Sequence, residues 1–113
     1  MNKKLWQPSK VEVENSNIFD FQNIINNKYG LSIDNYSQLH KWSIDNIDLF
    51  WKEMWDYSKI IYSNQFDKVV EVKNNIWETN WFINSKLNYA ENLLKYRSDD
   101  VAIYFFGENK IKK

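Results

Sequence analysis

The most informative stretch of the chain runs from Trp81 to Leu94 and reads WFINSKLNYAENLL. Small and aliphatic residues at positions 87, 90 and 94 recur at helical spacing, which predicts a helix over residues 86–96. Ser98-Asp99-Asp100 ends this helix, and an unbroken apolar run follows over residues 101–106. A strand buried on both faces is continuously apolar, whereas a strand with one wet face alternates. We therefore expect residues 101–106 to form an inner strand of a covered sheet or, alternatively, a short strand wedged under the helices.

Upstream of this stretch, capping residues and apolar spacing predict helices that follow an extended arm at residues 1–15. Pro8 disfavours a regular helix within the arm. Ser16 is the expected N-cap of a helix that continues until Gly30 stops it. A second, short helix is expected to have Asp34 as its N-cap.

The clearest helix is expected to begin at Ser43, whose hydroxyl can accept a backbone N–H one turn on. Its apolar residues recur at i, i+3, i+4, i+7 and i+8, and they are Ile47, Phe50, Trp51, Met54 and Trp55. The polar residues Lys52, Glu53 and Asp56 are predicted on the opposite, solvated face. This helix therefore has a broad aromatic face that another part of the protein must cover.

Between this helix and Trp81, the pattern is weaker. Valines at positions 69, 70 and 72 suggest a short strand, and Lys73-Asn74-Asn75 suggest a turn after it. The polar stretch from Trp77 to Trp81 is predicted as a loop.

The composition excludes several kinds of catalytic site. The 113 residues include no Cys and a single His, His40, which rules out thiolate catalysis and the usual zinc spacings. His40 is expected to be a surface residue. Only two glycines occur, so a glycine-rich phosphate loop is absent from this sequence. The neighbouring carboxylates Asp45 and Asp48 are better explained by helix-end electrostatics, and Asp99 and Asp100 by a turn.

Charge and hydropathy bear on partners and location. Fifteen basic residues balance fifteen acidic ones, so no net field would attract a nucleic acid or an anionic membrane. No secretory signal is recognisable, and the longest apolar run falls far short of the roughly 20 residues that span a bilayer. We therefore expect a cytoplasmic protein with no nucleic-acid and no membrane partner.

Three blocks of the sequence resemble one enzyme family in the same order. They are LWQPS with SNIFDF (residues 5–9 and 16–21), YSQLHKWS with FWKEMWD (36–43 and 50–56), and the stretch from Trp81 to Leu94. Together they resemble the start of the acetyl-CoA and acetoacetyl-CoA synthetases, which are adenylate-forming acyl-CoA ligases. The first block and the sequence NYAENLL favour the acetoacetyl-CoA synthetases.

This resemblance implies a mainly helical α+β fold. Residues 1–98 are expected to form an N-terminal helical cap, and residues 99–113 the start of a truncated AMP-binding domain. Val101 to Phe106 would then be the first strand of a larger α/β ligase domain. The other strands of that domain, its phosphate loop and its catalytic lysine belong to sequence downstream, so we expect no catalytic residue and no metal ligand in this segment.

The resemblance also implies the reaction of a parent enzyme. Members of the family join a carboxylic acid to ATP as an acyl-adenylate and then pass the acyl group to the thiol of coenzyme A. The implied parent is an acetoacetate–CoA ligase that uses ATP, Mg and coenzyme A. The implied partner of this segment is the remainder of the ligase chain.

One candidate binding site carries over from the resemblance. In relatives, the residues just after the WF pair lie beside the nucleotide of coenzyme A, usually with one or two glycines that permit close approach. The matching positions here are Phe82, Asn84 and Ser85, so larger residues occupy the glycine positions. Phe82 is a candidate for stacking and Lys86 for contact with a phosphate. In the alternative interpretation, Trp81 and Phe82 seal the helical cap onto the large domain.

A second class of function stays open on the residues alone. The chain is 18% aromatic, which suits a freestanding, aromatic-rich helical binding module for a protein or glycan partner. Such a module should unfold cooperatively and should lack a large exposed apolar patch.

Overall fold

The computed structural model describes residues 5–108 and 111–112, and its fold is α+β and mainly helical, as predicted. The helices are α1 (Lys10–Glu14), α2 (Asn17–Tyr29), α3 (Tyr36–Asp45), α4 (Ile47–Tyr57) and α5 (Tyr89–Leu93), with a short 3-10 helix at Ile76–Glu78. The strands are β1 (Lys68–Glu71), β2 (Asn80–Ile83), β3 (Phe105–Phe106) and β4 (Ile111–Lys112). Within the described residues, no helix has the length and apolar character needed to cross a bilayer.

Helix α2 has the predicted limits, but the extended arm before it is shorter than predicted. The Ser16 side chain accepts a backbone N–H of the first turn, and Gly30 ends the helix at a left-handed φ of 64°. Residues 10–14 form α1 instead of extended chain. Ser9 and Glu12 start this helix with a capping box, in which each side chain accepts the backbone N–H of the other.

Helices α3 and α4 begin at residues other than the predicted ones. The N-cap of α3 is Asn35 rather than Asp34, because the Asn35 side chain accepts a backbone N–H of the first turn at 3.0 Å. Helix α4 begins after Asn46 and not at Ser43, which lies inside α3. The Ser43 hydroxyl donates to a carbonyl one turn back at 2.7 Å, a bond compatible with a helix interior.

The core lies where α2, α3 and α4 meet. Its fully buried side chains are Phe21, Ile25, Ile33 and Leu39. Phe21 packs edge-on against two rings of α4, with centroid distances of 5.8 Å to Phe50 and 5.3 Å to Tyr57. The apolar stripe of α4 faces this core only in part: Phe50 and Met54 pack against it, whereas Trp55 is buried against Phe66 and Phe82.

Strands β1 and β2 form an antiparallel hairpin that packs on α4. Strand β1 is where the sequence predicts it, and its Val69 and Val70 are buried. The polar stretch between Trp77 and Trp81 is a loop only in part, because Glu78 ends the 3-10 helix and Asn80 begins β2, in which Trp81 pairs with Val70. Strand β2 is defined by this pairing, which local sequence does not reveal.

The C-terminal part contains less regular structure than predicted. The helix predicted over residues 86–96 is reduced to α5, because Lys86 forms an isolated β-bridge with Asn64 and Asn88 is the N-cap. Of residues 101–106, only the last two are in a strand, β3, which pairs with β4. All six are exposed, so the described residues contain no buried inner strand.

Candidate functional site

The four residues predicted to border a ligand lie together in a tight turn at the end of β2. They are Phe82, Asn84, Ser85 and Lys86, and we refer to residues 82–86 as the 82–86 turn. The Ser85 N–H donates to the Phe82 carbonyl at 3.0 Å. Phe82 has a φ of 45° and Asn84 a φ of 64°, both in the left-handed region. Asn tolerates this region better than most residues, whereas a bulky aromatic residue stays there only when surrounding contacts hold it.

An aromatic cluster holds the ring of Phe82 against α4. The ring centroid of Phe82 lies 4.6 Å from that of Trp55 and 5.4 Å from that of Phe66. Trp55 also packs against Phe66 and Tyr62, with centroid distances of 5.2 Å and 5.8 Å. Such aromatic pairs contribute about 0.5–1.5 kcal/mol each beyond the area that they bury. The cluster therefore supplies the contacts that the positive φ of Phe82 requires.

Residues 63–67 run along one side of the 82–86 turn and bond to it repeatedly. The side-chain amide of Asn64 donates to the Asn84 carbonyl at 2.7 Å, and the Lys86 N–H donates to the Asn64 carbonyl at 2.9 Å. The Asn84 side-chain amide donates to the Asp67 carboxylate at 2.6 Å. Asn84 and Lys86 nevertheless remain exposed, so the turn lies at the surface.

Two apolar grooves border the helices. One, of about 260 Å³, lies beside the turn and is lined by Trp51, Met54, Trp55, Ser58, Ile60, Phe82 and Leu87. The other, of about 410 Å³, lies among α2, α3 and α4, and His40 forms part of its wall. His40 is exposed, as predicted, and its ring stacks on Tyr36 with a centroid distance of 5.9 Å.

Sequence reasoning missed the buried charge at Glu53, which was predicted on a solvated face. Its side chain is 4% exposed, and its carboxylate accepts hydrogen bonds from Lys28 at 2.7 Å and from Tyr29 at 2.8 Å. Burial alone raises the pKa of Glu53, but the bonds from Lys28 and Tyr29 outweigh it and hold the pKa below its ordinary value. Burial and the adjacent carboxylate raise the pKa of Tyr29 to about 12. These contacts join α2 to α4, and they explain the charge as structural.

The described residues after Val70 include no buried side chain, although many of them are large and apolar. We refer to residues 71–108 as the uncovered half. Its most exposed apolar side chains include Ile76, Trp77, Tyr96, Ile103 and Phe106. In the described part of the chain, no group of three or more His, Cys, Asp or Glu side chains is placed to hold a metal ion. The half that carries the 82–86 turn therefore lacks a core of its own.

The region that contains α3, α4, the hairpin and the 82–86 turn identifies the class of protein. Residues 36–93, more than half of the chain, match the family described as the acetyl-coenzyme A synthetase N-terminus. The chain belongs to this family, the N-terminal region of adenylate-forming ligases.

Within that class, the similarity points to one kind of enzyme. The acetoacetyl-CoA synthetases of Xenopus tropicalis and Danio rerio are each 38% identical to this chain, and each match covers 96% of its length. The malonamoyl-CoA synthetase of Penicillium aethiopicum is 41% identical over 80% of the chain. The solved acetoacetyl-CoA synthetase from Streptomyces lividans matches 80% of the chain with a TM-score of 0.72 and 30% identity. This chain spans only 16% of the length of the first two relatives, 12% of the third and 14% of the solved structure.

Proposed function

We propose that this chain is the N-terminal part of an ATP-dependent acetoacetate–CoA ligase and has no catalytic activity alone. The parent enzyme would convert acetoacetate, ATP and coenzyme A into acetoacetyl-CoA, AMP and diphosphate through an acyl-adenylate. The observation that carries this proposal is the similarity to acetoacetyl-CoA synthetases, which extends over 96% of the chain.

The uncovered half supports an architectural role. Residues 1–98 act as a helical cap, residues 99–113 begin the AMP-binding domain, and the remainder of the ligase chain is the partner. Large apolar side chains that no other part of a protein covers are typical of interaction surfaces. The buried core lies around α2, α3 and α4, whereas described residues 71–108 include no buried side chain. Uncovered apolar surface thus lies next to the point where the AMP-binding domain is proposed to begin.

The 82–86 turn is the part of the cap that we assign to the coenzyme A nucleotide. Asn84 has the left-handed conformation that glycine favours, and the exposed Lys86 can reach a phosphate. Phe82 anchors the turn to Trp55, and Ser85 closes it. Coenzyme A supplies the thiol that accepts the acyl group. ATP and Mg are assigned to the remainder of the ligase, as the resemblance to the adenylate-forming ligases implies.

A freestanding binding module is the alternative function. The groove of about 410 Å³ among α2, α3 and α4 would be its natural binding site. The uncovered half weighs against it, because a stable module should not expose so many apolar side chains.

Two measurements test the proposal. The species that carries this segment, captured from its source cell, should release AMP only when acetoacetate, ATP and coenzyme A are all present. Calorimetry on residues 1–113 alone should show no binding of ATP or acetoacetate. Micromolar ATP binding by the isolated segment would contradict the assignment of the ATP site to the remainder of the ligase. Absence of acetoacetate-dependent AMP release would contradict the proposed ligase.

A further inference from the structure

We infer that Asp67 and Asn64 position the 82–86 turn so that it admits a ligand as a glycine turn would. Asp67 draws the Asn84 side chain to one side, and Asn64 holds the Asn84 backbone carbonyl. The inference rests on the proposed function, because the ligand is the nucleotide of coenzyme A. It adds two residues, 17 and 20 positions before Asn84, to a site that sequence reasoning had confined to residues 82–86.

The need for such a device follows from the backbone of Asn84. Asn84 has a φ of 64°, in the left-handed region that glycine favours. Unlike glycine, Asn84 also has a side chain, which occupies space beside the turn. In this structure it goes to Asp67, whose carboxylate oxygen accepts its amide at 2.6 Å. A hydrogen bond to a charged acceptor is among the stronger hydrogen bonds, so it restricts the rotamer of Asn84.

The backbone contacts act in the same direction. The Asn64 side chain donates to the Asn84 carbonyl at 2.7 Å, and the Asp67 N–H donates to the Ile83 carbonyl at 2.9 Å. Ser63 donates its N–H and its hydroxyl to the Lys86 carbonyl at 2.8 Å and 3.1 Å. These bonds reach the turn before, at and after Asn84, all from residues 63–67. The segment 63–67 therefore holds the turn on both sides of Asn84 as well as at Asn84 itself.

The same hairpin contains a matched control. Asn80 donates its side-chain amide to the Glu71 carboxylate at 3.4 Å, a longer Asn–carboxylate contact that joins β2 to β1 further along the ladder. Glu71 also pairs with Lys73 at 3.1 Å. Asp67 is exposed and Glu71 is partly exposed. Removing Glu71 deletes the same kind of contact at a distance from the turn.

The experiment uses the ligase chain that carries this segment, with coenzyme A as the varied substrate. Asp67→Ala should raise KM for coenzyme A about tenfold with little change in kcat, since a misplaced group beside the ligand weakens binding by about that factor. KM for acetoacetate should not change. Asp67→Asn, which keeps an oxygen acceptor, should stay within about twofold of wild type, as should Glu71→Ala.

The decisive variant is Asp67→Ala combined with Asn84→Gly. With no side chain left at position 84, nothing obstructs the turn, so KM should return to within about twofold of wild type. If Asp67 only stabilises the hairpin, the second substitution will not restore KM and will make it worse. That result, or an unchanged KM in Asp67→Ala, would overturn the inference.

A second readout separates this inference from the proposed function. In the ligase chain that carries this segment, the Asn84 side-chain amide proton bonded to Asp67 should exchange more slowly in wild type than in Asp67→Ala. A wild-type ligase without coenzyme A-dependent activity contradicts the proposed function. Fast exchange in the wild-type chain overturns the positioning role whatever the activity.

Discussion

The indole of Trp55 in α4 packs against the ring of Phe82 in β2, with ring centroids 4.6 Å apart and planes inclined by 39°. Trp55 is 7% exposed, and it is the member of the α4 stripe that the hairpin covers most completely. This contact joins the helical core to the WF motif. The geometry of the 82–86 turn therefore depends on a residue 27 positions earlier in the chain.

Trp55→Ala should lower the free energy of unfolding by about 3–5 kcal/mol, because it removes a buried aromatic side chain and leaves a cavity beside Phe82. Trp77→Ala is the matched control, since Trp77 is 78% exposed and its loss should change stability by no more than about 0.5 kcal/mol. Denaturant unfolding of the chain measures both. Equal losses for the two variants would mean that Trp55 does not join the helices to the hairpin.

The stability of the chain should fall in acid because of Glu53. Its folded pKa lies below the ordinary value of 4.5, so its ionised form stabilises the fold fully above that pH. The contribution is lost as the pH falls from 4.5 through the lower folded pKa. Urea unfolding between pH 7 and pH 3 should show this loss in wild type, and Glu53→Gln should reduce the slope below pH 4.5.

Gly30→Ala should destabilise the chain by about 1–2 kcal/mol. The cost comes from the backbone, because φ is 64°. A steric clash is excluded, because a Cβ at this position would meet no atom within 4 Å. Gly30→Asn should cost clearly less, since Asn tolerates the left-handed region. Thermal unfolding of the two variants separates strain from steric contact. Equal losses of stability in the two variants would show that the left-handed φ of Gly30 does not cause the destabilisation.

The isolated chain should self-associate through the uncovered half. Replacing Phe105 and Phe106, which are 61% and 70% exposed, with serine should raise the monomer fraction in sedimentation velocity. A chain that is fully monomeric before substitution would favour the freestanding module.

The elements that the sequence predicts well are those determined by local residues. Ser16 and Gly30 bound α2 because a hydroxyl cap and a left-handed glycine act within one turn. The start of α4 was misplaced because Ser43 and Asn46 both suit an N-cap, and local sequence does not choose between them. The capping box of Ser9 and Glu12 was a readable signal that was overlooked.

The features that the sequence does not predict depend on contacts between distant residues. Strand β2 exists because Trp81 pairs with Val70, and Glu53 is buried because Lys28 and Tyr29 reach it from α2. The four candidate site residues lie together because they are nearly adjacent in sequence, and their role in binding coenzyme A stays a prediction. Their positioning by Asp67 could not be predicted, because residues 63–67 carry no pattern that links them to the turn.

The measurement that tests the account most directly is the intact mass of the native protein that carries this segment. An antibody to the segment would capture it from denatured extracts of the source cell, so that docked surfaces are accessible. We expect a single species several times heavier than 13.8 kDa, since the acetoacetyl-CoA synthetases that resemble this chain are about six times as long. A native species of 13.8 kDa would contradict the ligase assignment and favour a freestanding binding module.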